Sequence, residues 1–327
     1  MPAVSVIIPM FNRRACVAAS VRSVLDQTFR DLEVIVVDDG STDGAADMLA
    51  SEFGDRIRIE RLPCNQGRST ARNVGWALAK AELVAFLDSD DLWLPSKLSL
   101  QLPLFERPEV ILVHCWVSKI GPDGARLDAE STALAREFEI AARRGYGYGG
   151  ITETWCRMYT SAVVLRRDVL RQTGGFDPRL SNFEDWDMLW RVARAGEVAT
   201  VRHPLVLHRT HPGNTPTVWT EDAAPWIAVN RKHLSELAQG PQGPQERRAR
   251  ANLFMNMALG EYWRGRLMAS RLWMLRALLA NPRLLARSTH YVWCAPLLRA
   301  LLPGPLAELI MSRTGGDRYV DLERQPA

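Results

Sequence analysis

The stretch Leu83-Val84-Ala85-Phe86-Leu87-Asp88-Ser89-Asp90-Asp91 is an apolar run of strand length that ends in three carboxylates within four residues. A short, continuous apolar run is typical of a strand buried on both faces of a parallel sheet. Carboxylates directly after such a strand lie at the carboxyl edge of the sheet, where open parallel sheets bind their ligands. The stretch therefore predicts a parallel sheet with an acidic ligand site at its edge.

The same pattern extends toward the N-terminus, where short β-rich runs alternate with helical spacing. Such alternation predicts parallel strands joined by crossover helices. The predicted strands are 4–9, 32–37, 57–62, 83–87 and 110–117, and the helices among them are 16–25, 45–53 and 69–79. We therefore expect an α/β fold with a mostly parallel sheet flanked by helices.

After residue 215 the pattern changes to helices, expected at 245–263 and 267–280. We therefore expect a main domain at 1–215 and a helical C-terminal extension at 216–327. The extension carries 15 Lys and Arg against 9 Asp and Glu, net +6, whereas the rest of the chain is net −2. This distribution favours a phospholipid surface or an acidic glycan over nucleic acid as a partner.

Cysteine usage and apolar patterning indicate the cellular compartment. The five cysteines lie far apart, with no CxxC pair, which is typical of reduced thiols rather than a disulfide framework or a zinc site. We find neither a signal-peptide pattern nor about 18 uncharged apolar residues in a row. The expectation is a cytoplasmic protein, with peripheral attachment to the inner face of the cytoplasmic membrane as an alternative.

Two further carboxylates, Asp38 and Asp39, follow the second predicted strand in the turn 38–43. A carboxylate at this edge can accept the N–H of a uracil-like base or the hydroxyls of a ribose, and such hydrogen bonds offset its desolvation. The alternative is a turn whose acids cap the next helix. The sequence leaves both interpretations open.

The acids of the first stretch favour a metal. Asp88, Asp90 and Asp91 repel one another unless cations or donors neutralise them. Mg²⁺ or Mn²⁺ prefers oxygen ligands and bridges a carboxylate to substrate phosphates while keeping waters, so one or two acids are enough. His211 is a further candidate because it can close over the diphosphate or the metal, and the alternative is a histidine at the surface or in the core.

The segment 65–73 is a polar loop that runs into a helix. Gly67 permits close backbone approach, and Arg68 or Arg72 can reach phosphates. Arg72 is equally suited to pairing with the acids as a structural ion-pair partner. Asn65 begins the loop.

A third acidic pair, Glu184-Asp185, begins a predicted helix. A carboxylate there can take the proton of a hydroxyl that attacks an electrophilic carbon. Asp185 is the candidate base, and Glu184 is an orienting or acceptor-binding neighbour. The alternative is an acidic helix N-terminus stabilised by the helix dipole.

In this order the clusters resemble family 2 glycosyltransferases of the GT-A fold, over about residues 3 to 212. The resemblance implies a Rossmann-like sheet and transfer of a sugar from a nucleotide-sugar, of UDP type, to a hydroxyl of a surface polysaccharide, lipopolysaccharide or glycolipid. It also implies inversion without a covalent intermediate. The matching segments are 4–12, 38–43, 65–73, 88–91 and 184–185.

The resemblance implies a role for each matching residue. The nucleotide-sugar site comprises Pro9, Phe11, Asn12, Asp38, Asp39, Asn65, Arg68, Arg72 and Asp88. Within it, Pro9, Phe11 and Asp39 hold the base and Asp88 the ribose. By the resemblance Asp90 binds the metal and Asp185 acts as the base. Asp91 and His211 complete the candidate metal site, and Glu184 completes the candidate catalytic pair, on the residue-level arguments given above.

Several alternatives stay open. Leucine and aromatic residues beside arginines in 271–311 suit a helix in a membrane interface, or a helical subdomain packed on the main domain or in a homodimer. The glycine and tyrosine run at 145–150 is a plain loop or an acceptor-side lid. Two other functions are possible from the sequence. The first is binding of a nucleotide-sugar or glycan without turnover, and the second is that of a polyprenyl-phosphate sugar synthase. A nucleotidyltransferase would want a glycine-rich loop after the first strand, which residues 10–14 lack.

Overall fold

The structure is a computed structural model that describes residues 1–144, 146, 158–211, 223–240 and 243–281. These residues belong to two compact units, one up to residue 211 and the other from residue 223 onward. Outside the described residues lie most of the run at 145–150 and the part of the segment 271–311 beyond residue 281, for which a membrane-interface helix and a packed helical subdomain were the alternatives. Tyr146, which is described, is buried against His114 and is therefore not placed to stack on a sugar.

The first unit is built on an eight-stranded mixed sheet with the order β3-β2-β1-β4-β7-β6-β8-β5. Strands β1 to β4 pair in parallel, β6 pairs with β8 in parallel, and the pairs β4–β7, β6–β7 and β5–β8 are antiparallel. The strands are β1 (Val4–Met10), β2 (Leu32–Asp38), β3 (Arg58–Arg61), β4 (Leu83–Phe86), β5 (Leu92–Trp93), β6 (Val110–Ile120), β7 (Val163–Arg166) and β8 (Glu197–Arg209).

Helices connect and flank these strands, as the alternating pattern predicts. The N-terminal elements match the expected positions to within one or two residues. The helices of the first unit are α1 (Val17–Leu25), α2 (Ala45–Phe53), α3 (Arg68–Leu78), α4 (Lys97–Gln101), α5 (Asp128–Arg144), α6 (Arg167–Thr173) and α7 (Glu184–Val192).

Close packing of α3 on the sheet depends on Gly75. All seven residues of β1 are buried, as expected for a strand covered on both faces. A Cβ atom at Gly75 would lie 2.2 Å from Cγ2 of Ile7 in β1. Only glycine therefore lets α3 approach the strand this closely.

We expect Gly75→Ala to destabilise the first unit by about 1–3 kcal/mol, the usual cost of overpacking a filled core. Equilibrium urea unfolding checks this as a lower midpoint with an unchanged slope. Ala77→Gln on the exposed side of the same helix is the matched control and should change the midpoint little. An unchanged midpoint for Gly75→Ala would contradict the packing account.

The sequence pattern did not predict three strands. β5 and β7 have only two and four residues, too few to show a period. β8 contains Pro204 and alternates irregularly between exposed and buried positions, and its pairing with β6 includes register shifts near Trp116. β6 continues to Ile120, three residues beyond its expected end, because β8 pairs with it throughout.

The second unit, described by itself, is helical as predicted. Its helices are α8 (Ala224–Gln239), α9 (Pro244–Trp263) and α10 (Leu267–Ala280). Buried polar side chains join α8 to α9, since Trp226 Nε1 donates to the Asn256 carbonyl at 3.1 Å and Asn256 Nδ2 donates to Asn230 Oδ1 at 3.0 Å. Among the described residues, no helix combines the length and the apolar content needed to cross a bilayer.

Candidate active site

The predicted site residues gather at one edge of the sheet because β1, β2 and β4 are parallel neighbours. Their carboxyl ends bring together the turn after Met10, the acids after Val37 and the acidic loop after Phe86. Parallel strands end at a common edge, so segments about 80 residues apart in sequence share one region. This edge is the candidate active site.

Asp39 organises the loop beside it. Its two carboxylate oxygens accept the backbone N–H groups of Gln66, at 2.7 Å, and Gly67, at 2.8 Å. Asp38 accepts the N–H of Ser41 at 3.0 Å, and both acids are buried. Backbone donors thus compensate the burial of these carboxylates. The acid that accepts a hydrogen bond from the start of α2 is Asp43, through the N–H of Ala45, rather than Asp38 or Asp39.

The segment after β1 forms the rim of the same edge. Asn12 has a left-handed backbone (φ 51°), and its side chain accepts the N–H of Thr42 at 2.9 Å. Phe11 is 41% exposed beside it and is free to cover a planar base, whereas Pro9 is buried inside β1 opposite Val37. Asn65 is exposed in the facing loop.

Arg72 lies at the centre of a buried ion-pair network. Its Nη2 donates to Asp88 Oδ1 at 2.7 Å and its Nη1 to Glu184 Oε1 at 2.9 Å, and the side chain is 4% exposed. Arg68 Nε reaches the same Glu184 oxygen at 2.8 Å. Of the two interpretations of Arg72, the geometry favours the structural ion-pair partner.

This network also sets the charge of Asp88. Desolvation opposes ionisation, but the Arg72 charge and the hydrogen bond it donates outweigh desolvation, so the pKa of Asp88 lies below its usual value. Asp88 therefore stays ionised and can accept hydroxyl groups at neutral pH. That property suits its predicted contact with a ribose.

Asp91 is turned into the protein. Its Oδ2 accepts the Ser161 hydroxyl at 2.6 Å and its Oδ1 accepts the Arg209 N–H at 2.9 Å. Burial, followed by the charges of Asp88 and Asp90, raises the pKa of Asp91 well above its usual value. These partners do not favour Asp91 as a metal ligand and point to a role in shaping the loop.

Ser161 was not predicted as part of the site. Besides donating to Asp91, its hydroxyl accepts the Asp88 backbone N–H at 3.1 Å, so one side chain fixes both ends of the acidic loop. The residue lies about seventy positions away in sequence, just before β7. A lone serine there has no local pattern that would mark it.

The Asp90 side chain has different neighbours from that of Asp91. Its Oδ2 lies 3.0 Å from His211 Nε2 and 3.7 Å from Arg13 Nε. Among the described residues no three His, Cys, Asp or Glu side chains converge as a complete metal cage. The fit to Mg²⁺ or Mn²⁺ therefore depends on one carboxylate with a neighbouring imidazole, which is enough where substrate phosphates and waters supply the other ligands.

Asp185 lies at the start of α7, next to Glu184 in the ion-pair network. Desolvation and the neighbouring Glu184 charge raise the pKa of Asp185 to about 6, against the opposing charge of Arg72. Its Oδ1 accepts the Trp186 N–H at 2.7 Å, and the side chain stays partly exposed. A partly exposed carboxylate with a pKa near neutrality is suited to proton abstraction.

A basic and aromatic group between β6 and β8 was also not predicted. Lys119 Nζ lies 3.2 Å from His208 Nδ1, and the His208 ring packs edge-on to Tyr159. Burial and the Lys119 charge lower the pKa of His208 to about 4, so the imidazole is neutral at pH 7. Lys119 was missed because it lies two residues beyond the predicted strand 110–117 and belongs to no motif in the sequence.

A family model described as glycosyl transferase family 2 matches residues 5–174, which is just over half of the chain. The chain belongs to this family. The predicted family is thereby confirmed. The matched region contains the acids after β2 and β4 and the loop with Arg72. It ends before Asp185 and His211, so the match does not test the roles predicted for these two residues.

Relatives of the family share the first part of the chain. An uncharacterized glycosyltransferase of Nostoc sp. is 33% identical over 215 residues, which is 64% of this chain and 66% of that protein. A putative teichuronic acid biosynthesis glycosyltransferase of Bacillus subtilis, TuaG, is 40% identical over 129 residues, 39% of this chain and 51% of that one. The chain thus spans less than two thirds of the length of either relative.

Solved structures of low sequence identity share the fold. Staphylococcus aureus TarS 1–349 in complex with UDP-GlcNAc has a TM-score of 0.62 at 17% identity, covering 98% of this chain and 89% of that one. The mannosyltransferase PcManGT from Pyrobaculum calidifontis, in complex with GDP-Man and Mn²⁺, has a TM-score of 0.60 at 16% identity, covering 98% and 88%. The predicted α/β fold of GT-A type with a helical C-terminal extension is confirmed.

Proposed function

We propose that this family 2 protein is an inverting glycosyltransferase that moves a sugar from a nucleotide-diphosphate sugar to a hydroxyl of a surface polysaccharide, lipopolysaccharide or glycolipid. The observation that carries the proposal is the link through Arg72. It joins Asp88, at the end of β4, to Glu184, at the start of α7, at 2.7 and 2.9 Å. This link supports our proposal that the donor acid Asp88 and the base Asp185, which is the sequence neighbour of Glu184, act in one site.

The donor nucleotide binds at the edge formed by β1, β2 and β4. Phe11 covers the base, the Asp39 carboxylate and the loop it holds line the pocket, and ionised Asp88 accepts the ribose hydroxyls. UDP-sugars are our first choice of donor. The solved structures of the same fold were obtained with a UDP-sugar in one case and a GDP-sugar in another, which supports a nucleotide-sugar and leaves its base to be tested.

Asp90, with His211 beside it, would hold Mg²⁺ or Mn²⁺. The bound ion supplies charge neutralisation for the departing nucleoside diphosphate. Asp91 and Ser161 hold the loop that presents Asp90, and Arg13 brings a further positive charge within 3.7 Å of the Asp90 carboxylate. The site is therefore suited to a leaving group that carries negative charge.

Asp185 acts as the base. The acceptor oxygen forms a bond to the anomeric carbon as the bond from that carbon to the diphosphate oxygen breaks, and the acceptor proton passes to Asp185. One displacement from the face opposite the leaving group inverts the configuration without a covalent intermediate. Glu184 holds the start of α7 in place through Arg72 and Arg68.

The relatives support the proposed acceptor class. The Bacillus subtilis relative is named for teichuronic acid biosynthesis, which supports a glycan of the cell envelope as acceptor. We further propose that the protein works in the cytoplasm at the membrane surface. A polyprenyl-phosphate acceptor is the enzymatic alternative, and a transfer assay that offers lipid phosphate beside a hydroxyl acceptor distinguishes the two.

We expect Asp90→Ala to abolish metal-dependent donor binding, because it removes the carboxylate proposed to hold the ion. The measurement is thermal unfolding of the full chain with UDP-sugars and GDP-sugars, with Mn²⁺ or with a chelator. A donor at about 100 times its Kd adds about 2.7 kcal/mol of apparent stability, a rise of about 5–10 °C in Tm.

The control for this experiment is Asp185→Asn, which should keep the full metal-dependent rise in Tm. Equal loss of donor binding in both variants would contradict the separate roles. A wild-type protein that binds nucleotide-sugar but never transfers or hydrolyses it, with a panel of hydroxyl acceptors, would identify a binding protein instead.

A further inference from the structure

Helix α10 of the second unit carries an unusual share of exposed apolar side chains. Of the eight large hydrophobic residues that are exposed in the described part of the chain, five lie on this one helix. The four most exposed of them are Met268 at 68%, Leu272 at 59%, Leu275 at 54% and Leu279 at 74%. Such a concentration indicates an interaction surface rather than scattered surface leucines.

These four residues form one stripe, which we call the outer stripe. Their spacing of four, three and four positions places them within a narrow arc of the helix. The opposite side is buried, where Met274 and Ala277 pack in the unit and the Ser270 hydroxyl donates to the Ala258 carbonyl at 2.7 Å. The helix is therefore apolar on two sides, of which the described residues cover only one.

Positive charge borders the outer stripe. By helical geometry, Arg271 lies on one flank of the stripe and Arg276 on the other, and both are exposed. Arg264 and Arg266, also exposed, precede the helix. Residues 262–281 contain no Asp or Glu. An apolar stripe with arginines on both flanks complements a surface that is apolar inside and negatively charged outside.

We propose that α10 docks on an anionic phospholipid membrane, with the outer stripe in the acyl region and the flanking arginines at the lipid phosphates. A second copy of the chain fits the surface less well. Symmetric pairing through the stripe would bring the arginines of one copy close to those of the other, because both flanks carry the same charge. The proposal does not depend on the proposed catalytic function.

The test is flotation of the 327-residue chain with vesicles. We expect wild-type protein to float with vesicles of phosphatidylglycerol and phosphatidylethanolamine and to stay behind with vesicles of phosphatidylcholine alone. Leu272→Gln with Leu279→Gln should lower the partition coefficient at least about tenfold, because two apolar side chains leave the acyl region. Arg271→Gln with Arg276→Gln should lower the partition coefficient about fivefold per arginine and weaken its salt dependence, to which Arg264 and Arg266 still contribute.

Leu100→Gln is the matched control. Leu100 is an exposed leucine of the first unit, 44% exposed, and its replacement should leave flotation unchanged. All four substituted positions are exposed, so unchanged thermal unfolding is expected and shows that the variants are folded. Sedimentation velocity without lipid measures the oligomeric state of the wild type and of the leucine variant.

Three results would overturn the proposal. The first is a wild-type protein that does not bind anionic vesicles. The second is vesicle binding that survives the double leucine variant. The third is a wild-type dimer that the same leucine variant converts to a monomer, since the outer stripe would then be covered by a second copy.

Discussion

Replacing Asp185 with asparagine is expected to lower kcat by about 10²–10⁴-fold, the usual contribution of a positioned general base. Asparagine keeps the size of the side chain and the hydrogen bond from the Trp186 N–H but cannot take a proton. Donor binding should stay unchanged, because the donor contacts proposed for Asp39, Asp88 and Asp90 are intact. The measurement is steady-state transfer with donor affinity determined in parallel.

The pH dependence gives this prediction a second readout. Because the pKa of Asp185 is raised to about 6, the base is protonated below pH 6. We therefore expect kcat/KM of the wild type to fall about tenfold per pH unit below pH 6, and the residual kcat/KM of the asparagine variant to lack this decrease, because kcat/KM reports the pKa values of the free enzyme. A raised carboxyl pKa also means that ionised Asp185 opposes folding above pH 6, so the variant should be at least as stable at pH 7.5.

Asp47→Asn is the control for Asp185→Asn. Asp47 is an exposed acid on α2, paired with Arg61, and its replacement should leave kcat and its pH profile unchanged. An Asp185→Asn protein that transfers sugar at the wild-type rate would remove Asp185 from the proposed reaction and leave the acceptor's proton without an assigned base.

Replacing Arg72 with methionine is expected to destabilise the first unit by about 3–5 kcal/mol, because it leaves buried Glu184 and the charge of Asp88 without their shared partner. Arg68 alone then faces Glu184. Transfer should be lost as well, because the end of β4 and the start of α7 lose their direct link. Urea unfolding measures the first effect, and transfer under conditions that keep the variant folded measures the second.

The effect of Arg72→Met should depend on pH in a defined direction. Arg72 holds the pKa of Asp88 below its usual value, so the stabilisation is present above pH 4 and is lost as the pH falls through the lowered pKa. The stability difference between wild type and variant should therefore narrow in acid. Adding Glu184→Gln to the variant should recover part of the lost stability, because it removes a buried charge that only half-exposed Arg68 still compensates.

Arg61→Met is the control for Arg72→Met. Its partner Asp47 is exposed, so the loss of this ion pair should have little effect on stability. If Arg72→Met unfolded at the wild-type urea midpoint, the ion-pair network would not hold the first unit together as we describe.

The sequence predicted the part of the fold in which each strand is a continuous apolar run. β1, β2 and β4 are of this kind, and the acids that follow β2 and β4 are expected at one edge because parallel strands end on the same side of a sheet. β5 and β7 are too short to show a period, and β8 combines Pro204 with exposed positions, so their places in the sheet depend on pairing with distant strands.

The candidate site, like the fold, could be predicted from the sequence only in part. Its acids could be named from the sequence because three carboxylates after a buried strand need a partner. The sequence could not show which of these acids faces the candidate active site, because Asp90 and Asp91 are adjacent in the same loop. Their orientations are set by residues 70 to 121 positions away, Ser161 and Arg209 for Asp91 and His211 for Asp90. Whether Arg72 contacts a phosphate or serves as a structural ion-pair partner likewise could not be decided from the sequence, because the answer depends on where the fold places Glu184.

The shared guanidinium between Asp88 and Glu184 has a consequence for engineering. Residues near α7 are the natural place to randomise when a new acceptor is wanted. A library that includes Glu184 would also disturb, through Arg72, the ribose contact that we propose for Asp88. We therefore expect many of its members to lose donor affinity for reasons unrelated to acceptor choice. A library that keeps Glu184 and Arg72 fixed and varies their exposed neighbours would separate changes in acceptor choice from changes in donor affinity.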